Sequence, residues 1–124
     1  MADPEVYVVD DDDAVRCALS MLIGAHGWGV HVFDSAAAFL KAGIPTDETG
    51  TCLVLDIDLG GMNGAELLEY LQATGHALPA IMVTARPGST LARRACAAGA
   101  SAVVGKPVEA NDLIAAIHQA ISVR

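Results

Sequence analysis

Basic residues are scarce in this chain. Seven lysines and arginines face 15 aspartates and glutamates, a formal charge of -8 over 124 residues. That balance argues against direct binding to nucleic acid or to an anionic membrane surface. Cysteine is sparse too. Cys17, Cys52 and Cys96 lie far apart in apolar settings and form no C-x-x-C pair. They read as buried structural thiols without a disulfide framework, which fits the cytoplasm. No apolar run reaches the roughly 18 residues of a membrane span. Met1-Ala2-Asp3-Pro4-Glu5 has neither the basic stretch nor the apolar core of a secretory leader. Aromatic residues make up only 4%, and Trp28, Phe33 and Phe39 read as core or near-surface packing. The histidines (26, 31, 76 and 118) are scattered without metal-ligand spacing. A phosphate-binding P-loop is absent.

What is present is a regular alternation. The length suits one domain, residues 1–124, and 53% hydrophobic residues can build its core. Apolar runs at about Glu5–Val9, Gly29–Phe33, Leu53–Leu55, Ala80–Val83 and Ala102–Val104 predict five strands. Helices are expected from about Ala14 (Val15, Leu19 and Leu22 inward, Gly27 as stop) and from Ser35 to about Lys41. Others are expected over about Ala65–Ala73 (Leu67, Leu68, Leu71), Thr90–Ala98 and Asn111–Ser122 (Leu113, Ile114, Ile117, Ile121). Gly43 to Thr51 reads as a loop. Strand–helix alternation with continuously apolar strands predicts an α/β, doubly wound parallel sheet covered on both faces. Ligands of such sheets sit outside the carboxyl ends of the strands.

The polar residues that end four of the runs gather at that edge. Val6-Tyr7-Val8-Val9 leads to Asp10-Asp11, and Leu53-Val54-Leu55 leads to Asp56. Ala80-Ile81-Met82-Val83 ends in Thr84, and Ala102-Val103-Val104-Gly105 ends in Lys106. Three carboxylates, a hydroxyl and an ammonium suit a divalent metal and a phosphoryl group. Asp56 could attack phosphorus and form an acyl phosphate, given neutralisation of its own charge. Asp10 and Asp11 can hold Mg²⁺, which prefers carboxylate and carbonyl oxygens. Lys106 would neutralise a second phosphoryl oxygen, and Thr84 would donate a hydrogen bond to a third.

At these residues the chain resembles the receiver domain of two-component response regulators. The matching pieces are Val8-Val9-Asp10-Asp11, Leu55-Asp56, Met62-Asn63-Gly64, Val83-Thr84-Ala85, Ala98-Gly99-Ala100 and Lys106-Pro107. The resemblance implies a flavodoxin-like sheet in strand order 2-1-3-4-5 with five helices. It implies that Asp56 accepts phosphate from a sensor histidine kinase, with Thr84 and Lys106 assisting. It also implies Mg²⁺ held by Asp10, Asp11, Asp56 and the backbone carbonyl of Asp58, and a cis Lys106-Pro107 bond. Phosphorylation would alter the surface of the fourth helix, fifth strand and fifth helix, where family members bind partners or form homodimers. Phe33-Asp34-Ser35-Ala36 with Phe39-Leu40 resembles receivers joined to a helix-turn-helix DNA-binding domain. No output domain fits within 124 residues, so the chain is expected to be a stand-alone receiver or part of a larger regulator.

The chain departs from the family pattern at three places. Gly60 replaces the usual Pro after the acceptor, which should loosen that loop. Val103 stands where the family has its switch aromatic, so no Tyr or Phe can rotate inward behind Thr84. Val108 stands where Phe often follows Lys-Pro. Asp58 and Arg86 occupy positions that influence hydrolysis of the phosphoryl group in the family, and they could pair across the entry. Two other readings fit parts of the pattern. One is a receiver-like module that works without phosphorylation. The other is a haloacid dehalogenase-like phosphatase, since Asp56-Ile57-Asp58 mimics its D-x-D pair, although the acidic pair here precedes the nucleophile. The expectation is a switch rather than an enzyme that turns over substrate.

Overall fold

The computed structural model describes residues 4–46 and 50–122. Residues 1–3, read above as lacking a leader, and residues 47–49 of the expected loop lie outside them. The elements alternate strictly. They are β1 (Glu5–Val9), α1 (Asp13–Ala25), β2 (Gly29–Phe33), α2 (Ala36–Ala42) and β3 (Thr51–Asp56). Then follow α3 (Gly64–Ala73), β4 (Ala80–Thr84), α4 (Thr90–Ala97), β5 (Ala102–Gly105) and α5 (Ala110–Ser122). All strand pairs are parallel, and the order is β2-β1-β3-β4-β5, as expected.

Period-two alternation divides the sheet's side chains between two cores. Val6, Val8, Cys52, Val54, Ile81 and Val83 meet Leu19 and Ile23 of α1 and Leu113 and Ile117 of α5. Val9, Leu53, Leu55 and Met82 meet Phe39 of α2, Leu67, Leu68 and Leu71 of α3, and Ala92 and Ala95 of α4. The central strands β3 and β4 are buried throughout, and apart from Thr51, which opens β3, their sequences are apolar up to the polar residue that ends each run.

Three expectations need correction. β3 starts at Thr51 and extends through Asp56, so the acceptor candidate belongs to the strand itself. The buried stripe of α1 is centred on Leu19 and Ile23, with Val15 and Leu22 only partly covered. Cys17 and Cys96 are exposed, and only Cys52 is a buried thiol. Apolar sequence neighbours misled that reading. One helical residue step turns the side chain by about 100°, so Cys17, two residues before buried Leu19, and Cys96, next to buried Ala95, face solvent. Burial pushes the Cys52 thiol up to about 12.

The starts of α1 to α4 are capped by side chains. Asp12 accepts from the N–H groups of Ala14 and Val15, and Ser35 and Ser89 cap α2 and α4. Asn63 and Glu66 form a reciprocal capping box on α3. The next residue, Gly64, lies so close to β3 that a Cβ there would collide with the Asp56 carbonyl and crowd the Ile57 Cα. Its glycine sets how tightly α3 can approach the end of β3.

Candidate functional site

Parallel register aligns the ends of the strands. Val9 pairs with Leu55, Asp56 with Val83, and Thr84 with Gly105. The next or last residue of each strand therefore faces the same edge. Asp10, Asp56 and Thr84 are buried, at 1%, 3% and 1% exposure, whereas Asp11 is exposed. Asp10, Asp11 and Asp56 each bring a carboxylate oxygen within 4.8 Å of the others.

Each buried group is held from its own strand end. Asp10 Oδ1 accepts the Asp12 N–H at 2.9 Å, and Asp56 Oδ1 accepts the Asp58 N–H at 3.0 Å. The Lys106 N–H donates to the Thr84 carbonyl at 2.8 Å, and the Lys106-Pro107 bond is cis, as expected. Lys106 Nζ lies 3.2 Å from Asp56 Oδ2 and 3.6 Å from Asp10 Oδ2. Burial works against this ammonium, but the charges of Asp56 and Asp10 prevail and hold its pKa above the ordinary lysine value. The Asp10 carboxyl moves up from the usual aspartate range. Burial is the main cause, and the neighbouring charges of Asp56 and Asp11 add to it, against the pull of the Asp12 N–H and of Lys106.

These residues fit a hard divalent cation. Asp10 Oδ2 is buried without a hydrogen-bond partner. Three clustered carboxylates face one ammonium, which leaves two negative charges uncompensated. The donors are all carboxylate oxygens, the kind such an ion prefers.

Thr84 has two partners beside the site. Its hydroxyl donates to Asp58 Oδ2 at 3.3 Å, while its Oγ1 accepts the Arg86 N–H at 3.0 Å. Asp58 and Arg86 form no ion pair among the described residues; Thr84 is the side-chain partner of Asp58 instead. Val103 is partly buried against the core beneath α4, with no aromatic ring at its position.

Residues 6–118 match the response regulator receiver domain. The chain belongs to this family. This receiver is 40% identical to the transcriptional regulatory protein FixJ of Azorhizobium caulinodans, over 94% of the receiver and 54% of FixJ. It is 35% identical to the response regulator protein TmoT of Ectopseudomonas mendocina, over 94% of the receiver and 52% of TmoT. Among solved structures it matches the response regulator StyR, with a TM-score of 0.88 and 38% identity, over 98% of the receiver and 61% of StyR. It matches FixJ-N with a TM-score of 0.86 and 32% identity, over 98% of the receiver and 96% of that chain. The receiver spans about half the length of the curated relatives it matches.

One residue at the site escaped the reading of the sequence. Arg16 Nη1 donates to the Asp10 main-chain carbonyl at 2.8 Å, and its Nη2 pairs with Asp13. Arg16 thus ties the acidic loop to the first turn of α1. The i, i+3 spacing of Asp13 and Arg16 was a visible signal for half of this arrangement. The bond to the Asp10 carbonyl had none.

Proposed function

We propose that this receiver domain, residues 1–124, is a phosphorylation-controlled switch that takes a phosphoryl group on Asp56 in a Mg²⁺-dependent reaction. The observation that carries the proposal is the placement of Asp56. It is a buried carboxylate at a strand end, 3.2 Å from an ammonium and within 4.8 Å of two further carboxylates. An Asp56 oxygen attacks the phosphorus of a phosphohistidine on a sensor histidine kinase, or of a small acyl phosphate. The donor's P–N or P–O bond breaks, its electron pair stays with the donor, and an aspartyl phosphate forms. Lys106 neutralises one phosphoryl oxygen, and Thr84 donates a hydrogen bond to another. The carboxylates of Asp10, Asp11 and Asp56 and the main-chain carbonyl of Asp58 would hold Mg²⁺. The ion would offset the charge of the acidic edge and draw charge from a phosphoryl oxygen.

The switch acts stoichiometrically, without turnover of a substrate. Its output is a change in the surface of α4, β5 and α5. There Arg93 of α4 and Asp112 of α5, both exposed, carry opposite charges that a second copy could pair. Relatives named as transcriptional regulators are about twice as long as the segment they share with this chain. That supports a helix-turn-helix output domain outside this chain as the controlled partner. Among the described residues no helix is long and apolar enough to cross a membrane, which agrees with a cytoplasmic setting. Intact-protein mass after incubation with acetyl phosphate tests the proposal. Gain of one phosphoryl group with Mg²⁺, and none with EDTA, is the expected result. Repeated hydrolysis of a phosphate monoester would instead favour a phosphatase.

A further inference from the structure

Asp58 touches both working parts of the site. Its N–H donates to the Asp56 carboxylate at 3.0 Å, and its own Oδ2 accepts the Thr84 hydroxyl at 3.3 Å. Thr84 has a single hydroxyl proton, so it cannot serve Asp58 and a phosphoryl oxygen at once. Its oxygen also holds the Arg86 N–H at 3.0 Å, at the start of the loop that leads to α4. In that loop the Ser89 N–H bonds to the Arg86 carbonyl, and Ser89 caps α4. The chain of contacts therefore runs from Asp58 through Thr84 and Arg86 to the N-terminus of α4. It passes through no aromatic residue, and Val103 provides none in β5.

We propose that Asp58 is a resting-state latch on Thr84, holding its hydroxyl, and through it the Arg86 loop, until a phosphoryl group on Asp56 competes for the same proton. The latch rests on the receiver reading and deepens it. Asp58 is a positioning residue here: its side chain acts on the phosphoryl group through Thr84. Loss of its carboxylate frees Thr84 before phosphorylation, shifts the Arg86 loop toward its active arrangement, and tightens the site for a phosphoryl-like ligand.

The test is a titration of the whole chain with beryllofluoride and Mg²⁺, a non-covalent mimic of the aspartyl phosphate, followed by amide NMR. Wild type, Asp58→Ala, Asp58→Asn, Thr84→Ala and the double variant Asp58→Ala/Thr84→Ala are compared. Asp58→Ala should move the Arg86 amide toward its ligand-bound position before any ligand is added. It should also tighten beryllofluoride binding about two- to tenfold, the weight of one hydrogen bond. Asp58→Asn keeps a carbonyl acceptor for the hydroxyl but loses the stronger charged one, so it should fall between wild type and Asp58→Ala. In the Thr84→Ala background the Asp58 effect should vanish.

A purely repulsive role for the Asp58 charge predicts the opposite pattern. Asn and Ala would then tighten binding equally, and the gain would persist without Thr84. That result overturns the latch, and so does an unmoved Arg86 amide in Asp58→Ala. If wild type binds no beryllofluoride in the presence of Mg²⁺, the receiver reading itself fails, and the latch fails with it.

Discussion

Asp10→Asn should make the metal-free protein more stable. Asp10 is 1% exposed, and its Oδ2 is buried without a hydrogen-bond partner among three clustered carboxylates. Its upward pKa shift means that the ionised form is disfavoured in the fold, chiefly by burial. Asparagine keeps the Oδ1 that accepts the Asp12 N–H, and replaces the orphaned oxygen with a neutral N–H₂ beside the carboxylate acceptors of Asp11 and Asp56. Relief of an unsatisfied buried polar atom is worth about 1–3 kcal/mol. Loss of attraction to Lys106, 3.6 Å away and a quarter exposed, gives back about 0–1 kcal/mol. Taking the middle of each range, the net gain of about 1.5 kcal/mol corresponds to a rise in Tm of roughly 4–8 °C for a chain of this size.

The assay is thermal unfolding by circular dichroism in EDTA and again in saturating MgCl₂. Mg²⁺ stabilises a wild type that binds it in proportion to RT ln(1 + [Mg²⁺]/Kd). The variant lacks a ligand, so its advantage should shrink or reverse in MgCl₂. Acid should also close the gap. A raised carboxyl pKa destabilises the fold only while the group is ionised. The difference is thus present at neutral pH and fades as pH falls through the raised Asp10 value toward the ordinary aspartate pKa of about 3.9. A variant that melts at or below wild type in EDTA at neutral pH would refute the reasoning.

Two further perturbations probe the scaffold and the thiols. Gly64→Ala inserts a methyl against the backbone of Asp56 and Ile57, and should destabilise the protein by about 1–3 kcal/mol in urea unfolding. An unchanged midpoint would mean that α3 can withdraw from β3 without loss. At pH 8 a thiol reagent should modify Cys17 and Cys96 in the native protein, while Cys52, buried and pushed up to about 12, reacts only on unfolding. Modification of all three thiols at equal rates would contradict the packing of β3.

The residues legible from sequence are those whose burial conflicts with their polarity. Asp56 at the end of Leu53-Val54-Leu55 and Thr84 at the end of Ile81-Met82-Val83 break fully buried strands. Asp10 and Lys106 follow strands just as directly. Because parallel strands share one direction, these breaks had to gather at one edge once the alternation of strand and helix was recognised. Pairings between side chains were not legible. Thr84 and Asp58 are 26 positions apart, and either could have served other partners; periodicity reports which face a residue occupies, not what it touches there. The same limit explains Arg16, whose long side chain folds back on the Asp10 carbonyl. It explains Cys17 and Cys96 in reverse, since Leu19 and Ala95 on the same helices pack inward while the cysteines turn out.

The central claim is that Asp56 is the phosphoryl acceptor. The most direct measurement compares wild type and Asp56→Asn by intact mass, followed by peptide mapping, after incubation with acetyl phosphate and Mg²⁺. Wild type should gain one phosphoryl group on the peptide that contains Asp56, and the variant should gain none. An equal gain by both proteins, or a phosphoryl group mapped to another residue, would contradict the account.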